Sequence, residues 1–187
     1  MRLYGPLSVA EYLRTEPDSP FRREYVGGFW YGLHGESAEE DGTSAAHNLI
    51  MGNVLGTLHL ACLRLGYRLF SSQFKLHLLQ QAAFYYPDVM ACPGEPKHDF
   101  YATAPCLLVE ILSERSEWID RHAKYCAYTA LPTLQTYLIV EQDERRVYAY
   151  QREGGKWALT ELVGQGSLPL RCLGRTLTLD EIYAGVL

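Results

Sequence analysis

Apolar positions recur along this chain in two rhythms, one helical and one alternating. The helical rhythm is strongest after Ser44, where Ala46, Leu49, Ile50, Asn53, Val54, Thr57, Leu58, Ala61, Cys62 and Leu65 share one face. Gly66 ends that helix. Residues 7–13 read as a shorter helix, with Ser8 as N-cap and Glu11 completing a capping box. A third helix starts at Ser113 and runs to about Thr129, where Pro132 closes it off, and 179–184 form a last helical turn. Strand-like runs at 21–26 and 29–33 flank Gly27-Gly28, a two-residue hairpin signal. Further strands are predicted at 67–71, 74–79, 84–86, 106–112, 136–141, 146–152 and 157–163. The order predicts an α/β fold whose mixed β-sheet is covered by helices.

Composition narrows this picture. With 187 residues and 48% hydrophobic content, the chain reads as one domain spanning 1–187 with a single good core. Apolar runs fall far short of a membrane span, and MRLYGPLSVAEYL carries no apolar signal core. The expectation is a soluble, cytoplasmic protein with no membrane partner. Five cysteines (62, 92, 106, 126 and 172) form no CxxC pair, and Cys62, Cys106 and Cys126 read as small core residues. Net charge is −5, from 17 basic and 22 acidic residues, which argues against a non-specific nucleic-acid coat. It leaves a nuclease open, because a metal site is itself built from acids. The fourteen tyrosines fit sheet packing better than base stacking.

Two acids stand where acids are not expected. Asp88 follows AAFYYP, and Glu110 lies inside CLLVEIL, a run that otherwise reads as a buried strand. A buried carboxylate shifts its pKa or acquires a partner. Two acids on neighbouring strands can share a cation, and oxygen ligands select hard ions such as Mg²⁺. Alternatively, Glu110 faces a solvated edge or pairs with an arginine. On the following helix Asp120, Lys124 and Tyr128 share one face. That spacing is either an exposed Asp-Lys pair, worth ~0.3–0.5 kcal/mol, or a face reaching back over the two acids.

The segments Pro87-Asp88-Val89, Leu108-Val109-Glu110-Ile111-Leu112-Ser113, Asp120-x3-Lys124-x3-Tyr128 and Leu131-Pro132-Thr133-Leu134-Gln135 occur in a set order and spacing. Val9-Ala10-Glu11-Tyr12, Arg23-Glu24-Tyr25-Val26, His47 and Leu179-Asp180-Glu181-Ile182-Tyr183 extend the pattern over nearly the whole chain. Together they resemble the Uma-type restriction endonuclease family, a compact bacterial branch of the PD-(D/E)XK nuclease superfamily. The resemblance implies a restriction-endonuclease-like core, with an N-terminal hairpin and a divalent-metal site. Asp88 and Glu110 would be metal ligands, joined by the Ile111 carbonyl, with Mg²⁺ or Mn²⁺ as cofactor. The motif's lysine would fall at Leu112, so its role passes to Lys124 on the next helix. Glu24 and His47 would assist. Gly27-Gly28 and Ser113-Glu-Arg-Ser depart from the family pattern, and the segment before His47 is longer and more acidic than usual.

The remaining residues suggest no competing chemistry. The other histidines form no i, i+4 ligand pair, so no zinc site is expected. No glycine-rich phosphate loop occurs, and Glu36, Glu39, Glu40 and Asp41 lack the alternation of a calcium loop. The expected function is metal-dependent endonucleolytic hydrolysis of DNA, and the alternative is a non-catalytic binding or assembly protein that keeps the nuclease-like fold. Compact nucleases of this class often act as dimers, which makes a homodimer an expectation, although no heptad specifies one.

Overall fold

The computed structural model describes residues 2–35, 37, 42–113 and 119–187, with the backbone alone for 119–121. Ser8 accepts a hydrogen bond from Glu11 N and opens α1 (Val9–Thr15). Strands β1 (Arg23–Val26) and β2 (Phe29–Gly32) form an antiparallel hairpin around Gly27 and Gly28. Both glycines have positive φ, 56° and 98°, which suits a residue without Cβ. The long helix α2 (Ala45–Arg64) starts at Ser44, whose Oγ accepts from His47 N, and stops before Gly66. It buries the narrow stripe His47, Ile50, Val54, Leu58 and Cys62. Leu49 and Leu65, expected on that face, are about half exposed at 50% and 47%. Packing selects the i, i+4 row and leaves its flanks to solvent.

Strands β3 (Tyr67–Ser71), β4 (Lys75–Leu78), β5 (Ala83–Tyr85) and β6 (Val89–Pro93) follow. The strand β6 was not expected; Pro87 and Pro93 bracket it and mask its alternation. After the two-residue β7 (Tyr101–Ala102) come β8 (Leu107–Ile111), a π-helical turn (Ile119–Lys124) and α3 (Tyr125–Thr129). Residues 114–118, where the third helix was expected to begin, lie outside the described residues, as do 36 and 38–41 of the acidic loop and the Asp120 side chain. The chain continues through β9 (Thr136–Val140), β10 (Arg146–Glu153) and β11 (Lys156–Val163). It ends with the unexpected hairpin β12 (Ser167–Leu170) and β13 (Arg175–Thr178), then α4 (Leu179–Ile182).

These elements form layers. One sheet has the order β2-β1-β5-β4-β7, and the central sheet runs β11-β10-β9-β8-β6-β3. Both are mixed, because β4 pairs parallel with β7 and β8 pairs parallel with β9. Val89, Ala91, Leu107, Val109, Leu138 and Val140 face α2, α4 and the last hairpin. Met90, Cys92, Leu108, Tyr137 and Ile139 face the first sheet, meeting Leu76, Leu78 and Tyr85. The far side of the first sheet packs Tyr25 and Phe84 against Tyr12 of α1. Burying each large apolar side chain contributes ~1.5–3 kcal/mol, so the two faces of the central sheet account for most of the core. Cys62 and Cys106 are buried as expected, but Cys126 is exposed on α3. Its helical turn presents Tyr128 to the core instead.

Candidate active site

The candidate residues come from four elements and, for Asp88, from the segment just before β6. In the antiparallel register of β6 and β8, Val89 faces Val109 and Met90 faces Leu108. Asp88 lies one residue before that ladder begins, and Glu110 one residue beyond its Val109 end, so the two acids lie at the same end of the β6–β8 pair. Alternation explains the direction of Glu110: Leu108 and Leu112 beside it also enter the core between the two sheets. Asp88 sits at the passage from the first sheet to the second, just before β6 begins. Its Oδ2 accepts a 2.7 Å hydrogen bond from Ile111 N and lies 3.1 Å from His47 Nε2. The Ser44 cap at the head of α2 anchors His47 for that contact.

Lys124 joins the two sheets. Its Nζ lies 3.1 Å from Glu110 Oε1 and 3.3 Å from Glu24 Oε1. Tyr128, one turn further along, donates to the same Glu110 oxygen at 2.7 Å. Glu24 also accepts from Tyr86 N at 2.9 Å, and its Oε2 accepts from Tyr31 Oη at 2.8 Å. Glu110 therefore pairs with a lysine and is buried rather than facing a solvated edge. The Lys124 ammonium also stands over the Tyr85 ring at 5.8 Å. Glu24, His47, Asp88, Glu110 and Lys124 are all at most 5% exposed. The local electrostatics appear in the tyrosines. Burial, then the Glu110 carboxylate, hold the Tyr128 hydroxyl well above the ordinary value. Burial, then Glu24, do the same for Tyr31, and Tyr85 is pushed up to about 12.

Among the described residues, no three His, Cys, Asp or Glu side chains surround one metal-sized point. The donor chemistry still suits a hard cation. Two buried carboxylates, Glu24 and Glu110, pair with Lys124, and Asp88 is buried as well. Both Asp88 contacts use Oδ2, so Oδ1 takes no part in them. His47 Nδ1 is buried with no hydrogen-bond partner among the described residues. In a strand the N–H and C=O of one residue project toward the same edge, which sets the Ile111 carbonyl on the Asp88 side.

The Uma2 family model, described as "Putative restriction endonuclease", matches residues 9–180. The chain belongs to this family. A Uma2 chain of this length is similar to an uncharacterized Synechocystis protein, sll1609, at 33% identity over 86% of this chain and 90% of that protein. A second uncharacterized Synechocystis protein, slr1290, is 29% identical over 98% of this chain and 94% of its own length. The fold is that of a solved structure described as a putative nuclease belonging to DUF820 from Anabaena variabilis. The TM-score is 0.71 at 14% identity, covering 97% of this chain and all of the other. This Uma2 chain thus has the expected restriction-endonuclease-like fold, with mixed sheets, flanking helices and an N-terminal hairpin. No described helix is long and apolar enough to cross a membrane.

Sequence reasoning did not single out Tyr31 or the Tyr86 amide as partners of Glu24. The Tyr31 signal was present. A two-residue turn at Gly27-Gly28 pairs Glu24 with Tyr31 across the hairpin. Glu16 was also overlooked. It is buried, accepting from Arg23 N at 2.9 Å and from Arg23 Nε at 2.7 Å.

Proposed function

We propose that this protein is a divalent-metal-dependent endonuclease that hydrolyses DNA phosphodiester bonds. One observation carries the reading: Asp88 Oδ2 accepts a 2.7 Å hydrogen bond from Ile111 N, next to Glu110, and Lys124 Nζ lies 3.1 Å from Glu110 Oε1. Asp88, Glu110 and the Ile111 carbonyl would hold Mg²⁺ or Mn²⁺. When bound, the ion supplies charge neutralisation at the phosphodiester and lowers the pKa of the attacking water. Lys124 is the cationic group that orients this water and offsets charge developing on the phosphoryl oxygens. Glu24 and Tyr128 fix the lysine and the Glu110 carboxylate, so that neither swings freely. His47 and Ile111 N–H hold the Asp88 carboxylate in one orientation. Water adds to phosphorus, the bond to the leaving sugar oxygen breaks, and that oxygen takes up a proton. The test is nicking of supercoiled plasmid by purified protein with Mg²⁺ or Mn²⁺. Nicking that vanishes in Glu110→Gln agrees with this assignment, whereas equal nicking by that variant refutes it.

One observation favours a second reading. Lys124 is 2% exposed and already engages two carboxylates, as expected for a closed, self-neutralising core. A non-catalytic binding protein that keeps the nuclease fold would have this arrangement and would gain no stability from Mn²⁺. DNA as partner, a homodimeric state and a cytoplasmic location belong to the nuclease reading and are tested with it.

A further inference from the structure

A second polar cluster lies outside the candidate active site. A cavity of about 490 Å³ opens between the segment after α1 and the turn between β3 and β4. Its walls include Glu16, Arg22, Lys75 and Tyr86, with Phe21 and Phe100 as aromatic surfaces. That volume falls in the range of small-ligand sites.

Lys75 is the unusual residue here. It is 7% exposed, yet no carboxylate stands within ion-pair distance of it among the described residues. Its nearest polar contact is a long 3.4 Å approach to Tyr86 Oη, and the ammonium also stands 5.4 Å from the centre of the Tyr86 ring. A buried ammonium without a counter-charge is costly, and burial holds the lysine below its ordinary pKa, with Glu16 only partly opposing. Glu16 does not supply the missing charge. Its carboxylate is taken by Arg23 Nε at 2.7 Å, by Arg23 N and by Tyr86 Oη at 2.9 Å. Arg22 adds a second cation, steadied by Ser72 O at 3.2 Å. Two cationic side chains, Lys75 and Arg22, thus line the cavity. Phe100, 66% exposed, presents an aromatic surface at the cavity.

We infer that this cavity binds a nucleoside phosphate, its phosphate on Lys75 and Arg22 and its base against Phe21 and Phe100. Charge-assisted contacts from lysine and arginine suit a phosphate, and aromatic faces suit a base. The choice of a nucleotide over another phosphate ester rests on the nuclease reading, whereas the anion-binding half does not. The cavity also touches the candidate active site through one residue: Tyr86 lines the cavity, and its N–H holds Glu24. A nucleotide seated there would position a strand from the opposite side of the Tyr86 peptide.

The test is titration calorimetry of the full chain in EDTA with deoxyadenosine 5′-monophosphate, and with inorganic phosphate as the second probe. Expected is saturable one-to-one binding of the nucleotide and weaker binding of phosphate. Lys75→Met should weaken both by about ten- to a hundredfold, the loss of a contact to a charged group. Its melting temperature should hold or rise, because a buried charge without a partner is removed. Phe100→Ala, at an exposed position, should weaken the nucleotide about fivefold or more and leave phosphate unchanged. No binding of either probe, or equal affinities in the wild type and Lys75→Met, overturns the inference. Glu110→Gln should keep full nucleotide affinity, so failure of the nuclease reading and failure of this one give different results.

Discussion

Asp88 Oδ2 accepts a 2.7 Å hydrogen bond from Ile111 N, which ties the residue just before β6 to the neighbour of Glu110 on β8. Buried carboxylates near one another repel unless a positive charge lies between or beside them. Lys124 supplies that charge at Glu110, while Asp88 accepts from Ile111 N–H and lies 3.1 Å from His47 Nε2. In the proposed nuclease reading, these two oriented carboxylates are the oxygen ligands of the hard cation.

Mn²⁺ should stabilise the wild type. A ligand present at a hundred times its Kd adds about 2.7 kcal/mol, and a domain of this size gains roughly 2–4 °C per kcal/mol. Differential scanning calorimetry should show a rise of several degrees that Asp88→Asn abolishes. An equal rise in that variant would place the ion elsewhere.

Removing Lys124 should be expensive. Glu24 and Glu110 would be left buried with one cation fewer, a change of about 3–5 kcal/mol for a broken buried pair. Urea melts of Lys124→Met should show that loss, and nicking should fall with it even at saturating Mn²⁺. A loss below about 1 kcal/mol would mean that the ammonium contributes little to neutralising these acids.

Alkaline pH should expose the buried tyrosines. Burial holds the Tyr128 hydroxyl well above its unfolded value of 10.0. Such a group stabilises the fold fully below pH 10.0, and that contribution is lost as pH rises from there toward the folded value. In this window the unfolded chain has released a proton that the folded chain retains. Tyr128→Phe should flatten the fall of stability between pH 10 and pH 11.5 by up to about 1.4 kcal/mol per pH unit. It should also cost about 1–3 kcal/mol at neutral pH, where Glu110 loses a donor. Identical slopes in the two proteins would contradict the burial argument.

The core should be least tolerant under α2. Leu58 is fully buried between that helix and the central sheet, so Leu58→Ala should cost about 2–5 kcal/mol by calorimetry. Leu60→Ala, at a 61% exposed position two residues on, should change stability by less than about 0.5 kcal/mol. Equal effects at both positions would mean that the helix packs by another face.

Local rules carried the reading wherever the chain's own neighbours decide the outcome. Ser44 and Gly66 bound α2, Gly27-Gly28 set the first hairpin, and the uninterrupted apolar run around Glu110 made a central strand. These signals act over a few residues, through caps, turns and alternation, and so are written in sequence order. They failed at β6, whose prolines hide its alternation, and at β12 and β13, which form only against a surface built by distant residues. Cys126 was misplaced because helical spacing gives a period but not which side meets the core.

The chain by itself determined that Asp88, Glu110 and Lys124 exist at a spacing that could serve one site, and that Leu112 cannot supply the lysine. Only the tertiary structure decided that Lys124 lies between Glu110 and Glu24, on two different sheets, because stacking those sheets brings distant carboxylates within reach of one ammonium. It alone decided that Lys75 is buried without an ion-pair partner among the described residues. Burial and counter-charge are properties of the packed interior, where water no longer screens each group from its neighbours.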